Sequence, residues 1–196
     1  MAEQQREIHQ SENLQVSPTA EPPVPGAATL VAELDRWGVS YLSQHVDGPE
    51  SLRDHSLPPQ VLISALIQQP NARLRSALIA LFLARPGLWR DVDAVRTAMP
   101  RSAQLRLMLF YSASVLLQEI HRVKIRERQG SLWQPLPDLY AEALGLGQEG
   151  SPSERLKALA LTHGEATGQQ LNWHGTYQHA AAHLLHQWEL SRRWNR

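Results

Sequence analysis

The densest group of side chains able to do chemistry in this 196-residue chain lies in TYQHAAAHLLHQWELSRRW, residues 176–194. At about 100° per residue along a helix, Tyr177, Ala181, Leu184 and Trp188 point one way, with Leu185 at the edge of that stripe. His179, His183 and His186 point the other way, towards solvent or a second partner. Two imidazoles four residues apart are one helical turn from each other, which lets His179 and His183 share one metal ion. His186 lies about 10 Å along the axis from His179, so such a site needs a ligand from elsewhere, and His174 is the candidate. The zinc-protease spacing H-E-x-x-H does not occur. Without a metal, the same three residues form an exposed polar face or part of a partner interface.

A second group is basic. Arg122, Lys124, Arg126 and Arg128 close a long helical stretch, and Arg192, Arg193 and Arg196 stand among the last residues. Arg122 and Arg126 are one turn apart, so their planar forks can act together on a phosphate or carboxylate. The functional reading is contact with a nucleic-acid backbone. The plainer one is charge placed to complement the helix C-terminus. Of the six tryptophans, Trp37, Trp89 and Trp188 sit in apolar stripes and belong to the core. Trp133, Trp173 and Trp194 fall in loops or at the end of the chain, and tryptophan is enriched where partners bind, so these three are assigned to a partner surface.

Several chemistries are missing. There is no cysteine, which removes disulfides, thiol nucleophiles and thiolate metal sites. No glycine-rich phosphate loop, no G-x-S-x-G and no close carboxylate pair flanked by histidine occurs, and no cofactor is expected. Lys plus Arg and Asp plus Glu number 19 each, so no net field draws the whole molecule to nucleic acid or an anionic membrane; such binding needs a local patch.

The elements that must position these residues are helical. Arg101 to Gln129 reads as one central helix. From Leu105 to Leu117 only Arg106, Ser112 and Ser114 interrupt the apolar residues, and a helix apolar all round is buried. The apolar part is about 13 residues against the roughly 20 of a membrane span, so it is a core helix, with a wet basic half beyond it and Gly130 as its stop. Before it, the spacing predicts a helix over 29–45 capped by Thr29, a loop over 46–59, and short helices from Pro59 to Pro70, Asn71 to Arg85 and Leu88 to Met99. After it, Pro137 and Gly145 bound a short helix with Leu139, Tyr140, Ala143 and Leu144 inward. Ser151-Pro152-Ser153-Glu154 has the order of a capping box and opens a helix ending at Gly164. A last helix runs from near Thr176 to Trp194. No stretch has the alternation of a strand.

The expected fold is therefore all-α: a compact irregular bundle of about seven helices around the helix at 101–129, with HEAT-like helical hairpins as the alternative. Residues 1–26 are polar and contain Pro18, Pro22, Pro23 and Pro25, which predicts a disordered tail; residues 27–196 form the single domain. The first residues lack the apolar run of a signal peptide, which points to the cytoplasm. These features suit recognition more than reaction. The chain reads as a non-enzymatic protein-interaction module, a regulatory or adaptor subunit such as the neutralising partner in a bacterial two-protein system. Its partner is another protein, not a membrane. The alternative is a nucleic-acid-binding regulator using the basic helix end, and a third reading is a metal-binding enzyme using the His face.

Overall fold

The computed structural model describes residues 25–42, 56–169 and 171–194. Its helices are α1 (Ala27–Arg36), α2 (Pro59–Gln68), α3 (Ala72–Ala84), α4 (Trp89–Thr97), α5 (Arg101–Ile120), α6 (Arg122–Gln129), α7 (Pro152–Thr167) and α8 (Trp173–Trp194). The all-α class is as expected, and among the described residues there is no strand. Residues 1–24 of the expected tail and 46–55 of the expected loop lie outside the described residues.

Two helices form the centre. α5 is buried without interruption from Leu109 to Gln118, and α3 from Ala77 to Leu83. That run of α3 is enclosed because α1, α2, α5 and α8 pack around it. Phe82 of α3 meets Tyr111 of α5 edge to face at 5.2 Å, a favoured geometry for aromatic pairs. Gln187 of α8 ties the two ends of the chain, accepting from the Ser40 amide at 2.8 Å and donating to the Gly38 carbonyl at 3.1 Å. In a solenoid each hairpin touches only its neighbours. Packing of α3 on the distant α8 makes this a helical bundle and sets aside the HEAT-like alternative.

Local chemistry fixes the boundaries, and several differ from expectation. α1 starts at Ala27, capped by Gly26, and ends at Arg36, well short of 45. Gly38 has φ +90°, and its amide bonds Asp35 O at 2.9 Å while the Val39 amide reaches Leu34 O at 2.8 Å. Those two bonds form a Schellman closure, which glycine enables by adopting positive φ. Pro70 ends α2, and Arg75 seals the turn by donating to the Gln69 and Pro70 carbonyls at 2.6 and 2.7 Å. The capping box at Ser151 and Glu154 is present, but α7 runs through Gly164 to Thr167 and closes at Gly168, whose φ is +64°.

The central stretch is two helices rather than one. The backbone turns at His121 (φ −104°, ψ 20°) between α5 and α6, which brings Ile125, the buried residue of α6, onto the core. The expected helix after Pro137 is absent. Residues 133–139 have no regular secondary structure and 141–145 form a turn, because Pro135 has no amide hydrogen to give a helix and α5 supplies the backbone here with other partners. Gln118 receives the Leu136 amide at 2.7 Å and donates to the Gln134 carbonyl at 3.1 Å, while the Tyr111 hydroxyl donates to Pro137 O at 2.9 Å. The sequence places Leu139, Tyr140, Ala143 and Leu144 inward. Instead Leu136, Tyr140, Ala141 and Leu146 are buried, and Leu139 and Ala143 are exposed.

Candidate functional site: the outer face of α8

α8 begins one turn earlier than the sequence predicts, at Trp173, because Asn172 caps it: the Asn172 side chain accepts from Gly175 N at 2.8 Å and its carbonyl accepts from Thr176 N at 2.9 Å. Trp173 is consequently buried, 4 % exposed, which corrects its assignment to a partner surface. Its indole stacks on the His163 imidazole with centroids 3.5 Å apart and planes 9° from parallel. Tyr177 Oη lies 2.5 Å from His163 Nδ1, and Phe110 meets His163 edge-on at 5.6 Å. This aromatic group docks the start of α8 on α5 and α7.

His163 is 1 % exposed. Burial, reinforced by Arg75 and Arg106, lowers its pKa to about 4, so it is neutral at pH 7. Burial also raises the Tyr177 hydroxyl far above its ordinary value. A neutral imidazole and a neutral phenol share one proton in their hydrogen bond, an arrangement that rigidifies without charge. His163 was not among the residues singled out by spacing. Its position seven after Leu156 and four after Leu159, both buried, is the signal that places it on the inner stripe of α7.

The buried stripe of α8 is Trp173, Tyr177, Ala180, Ala181, Leu184, Leu185 and Trp188. Gln178, His179, Ala182, His183 and His186 are exposed on the opposite side, where the helical spacing puts the three histidines. His183 lies flat on Tyr41, centroids 5.2 Å apart and planes at 19°, and its ring centre is 6.3 Å from that of His179. Tyr41, Leu42, Ala72, Arg73, Thr176 and these two histidines border a shallow recess between α8 and the start of α3. Burial pushes the Tyr41 hydroxyl up to about 12 against the opposing effect of Arg73. His174 is half-buried. Among the described residues, no three of His, Asp or Glu are grouped to hold a metal ion, so His179 and His183 have no third protein ligand there.

The basic residues divide by flank. Lys124 pairs with Glu189 at 3.1 Å and Arg192 with Glu127 at 3.7 Å, and Lys124, Arg128 and Arg192 border a recess between α6 and α8. Arg122 and Arg126 turn to the other flank, onto Trp133, each guanidinium 5.5 Å from its ring centre. Trp133 is half-buried, and Trp194 is 86 % exposed at the end of α8. Arg193 is exposed too; Arg196 lies outside the described residues.

No helix among the described residues is long and apolar enough to cross a membrane. Compared with known proteins, the chain matches no family model, no curated protein and no solved structure.

Proposed function

We propose that this chain is a cytoplasmic, non-enzymatic interaction module, a regulatory or adaptor subunit that binds another protein through the outer face of α8. One observation carries the reading: from Ala166 to Trp188 the sequence contains no Asp, Glu, Lys or Arg, although α8 exposes a whole side of that stretch. Solvent-facing helix sides ordinarily carry ionised residues, whereas the centre of a protein interface is depleted of them. The exposed His179, Ala182, His183 and His186 recur at three and four residues, the spacing of a helix laid against a partner. Stacking on Tyr41 holds His183 in place before any partner arrives, which lowers the entropic cost of association. The neutralising subunit of a bacterial two-protein system is one role of this kind.

Isolating the tagged chain from its source cells after nuclease and chelator treatment tests the proposal. One protein should be recovered in stoichiometric amount. Loss of that protein on chelation would favour a metal bridging His179 and His183, and recovery of the chain alone would contradict the reading.

A further inference from the structure

The arginines facing Trp133 differ from Lys124 and Arg192 in having no carboxylate partner among the described residues. The acids bordering α6 and the end of α8, Glu127 and Glu189, are engaged by Arg192 and Lys124, and Glu119, exposed before the turn at His121, forms no ion pair with Arg122 among the described residues. Arg122 and Arg126 rest instead on one indole.

The backbone on either side of that indole is held. A single 3-10 turn, Gly130–Leu132, folds the chain back over α6, and Gly130 takes φ +55°, ψ −123°, a conformation costly for any residue with a Cβ. Immediately after Trp133, the backbone of 134–136 is held at both ends by the Gln118 amide.

A second pair of the same kind lies on this side of the molecule. Trp89, which its spacing assigns to the core, is half-buried at the core's edge; the Arg90 guanidinium is 5.2 Å from its ring centre, and it too has no carboxylate among the described residues: Asp91 bonds Gln60, and Asp93 bonds Arg96. Gln134 relates the two pairs in space. A Cβ on Gly87 would lie 3.1 Å from Gln134 Nε2 and 3.7 Å from Arg90 Nη1, so the side chain following Trp133 and the tip of Arg90 both lie beside the same glycine.

We infer that Trp89, Arg90, Arg122, Arg126 and Trp133 form a binding surface for single-stranded nucleic acid, separate from the face of α8. Guanidinium forks bind phosphate oxygens in bidentate fashion, and each of these three lies within cation–π distance of an indole. Interleaved cations and aromatic rings match a strand that alternates phosphates with unpaired, stackable bases. A duplex hides its bases and an acidic peptide has none, so both would leave the indoles unused. The chain's zero net charge confines the attraction to this patch.

Fluorescence anisotropy of a labelled 12-nucleotide oligothymidylate at low salt tests the inference. Three phosphate contacts on a single strand give a slope of log affinity against log salt of about −2. Arg90→Glu, Arg122→Glu and Arg126→Glu together should weaken binding at least about tenfold, while Lys124→Gln on the other flank should leave it within about twofold. Circular dichroism melts establish that each variant is folded; if the triple variant is not, the single changes Arg122→Gln and Arg126→Gln take its place, each expected to lower affinity. No binding by the native chain, binding that survives removal of these arginines, or equal affinity for a polyglutamate peptide of the same length would overturn it.

Discussion

From Leu109 to Gln118 every side chain of α5 is buried, whereas in α6, which begins four residues further on, only Ile125 is. The two helices meet at one turned residue and are held by different forces. α5 is fixed by apolar burial and by hydrogen bonds completed inside the protein: Ser114 to Phe110 O at 2.8 Å, Gln118 to the 134–136 backbone, Tyr111 to Pro137 O. α6 is fixed at its perimeter, by the Gln129 amide on Leu83 O at 2.6 Å, by exposed ion pairs to α8 and by two guanidiniums on Trp133. Damage to α5 should therefore appear as lost stability, and damage to α6 as changed recognition on an intact fold.

The largest expected effect is at Leu109, which is fully buried. Leu109→Asp would place a carboxylate with no partner in the core, a cost of about 4 kcal/mol or more, and circular dichroism should find the variant unfolded at 25 °C. A folded variant with an unchanged melting midpoint would show that α5 is not the buried centre.

Next comes acid. His163 packs on Phe110 of α5 and has its folded pKa lowered to about 4 from 6.5. Between those values the unfolded chain binds the extra proton, so stability rises with pH there. His163 is thus no liability above about pH 6.5, and about 3 kcal/mol is lost as the pH falls from there to about 4. Melting midpoints measured from pH 7 to 4.5 should drop steeply in the native chain and more shallowly in His163→Phe. Equal slopes would place the acid sensitivity elsewhere.

A smaller loss is expected where α5 holds the 134–136 segment. Gln118→Leu leaves the Leu136 amide and the Gln134 carbonyl without their partner, at about 2 kcal/mol, readable from urea unfolding; an unchanged midpoint would mean that other groups satisfy them. The smallest effect belongs to α6. Lys124→Ala removes an exposed ion pair to Glu189, and such pairs contribute little, so the melting midpoint should stay where it is. A large drop there would erase the distinction between the two helices.

Much of this division is legible in the sequence, for identifiable reasons. The run from Leu105 to Leu117 leaves no polar face, and Pro59, Pro70, Asn71 and Ser151 mark helix ends by local chemistry alone. The turn at His121 is not legible, since nothing in HRVKIRERQ forbids a continuing helix; Ile125 moves to the core through contacts made in three dimensions. The irregular segment after Leu132 is hidden for a related reason, because its hydrogen-bond partners, Gln118 and Tyr111, belong to another element.

The candidate sites follow the same rule. The exposure of His179, His183 and His186 follows from periodicity within one helix. The burial of Trp173 depends on a cap at Asn172 and a histidine on α7, and the sharing of Trp133 by Arg122 and Arg126 depends on a turn that needs Gly130. Spacing within an element can be read from the chain, whereas pairing between elements cannot.

The measurement that bears most directly on the proposed role is light scattering on the complex recovered from source cells, comparing the native chain with Ala182→Glu combined with His186→Glu. Both residues are exposed on the uncharged side of α8, so the variant should melt like the native protein. If that side binds the partner, two carboxylates at its centre should reduce the recovered mass to that of the free chain. A variant that still carries its partner in full amount would contradict the assignment of α8 as the interface.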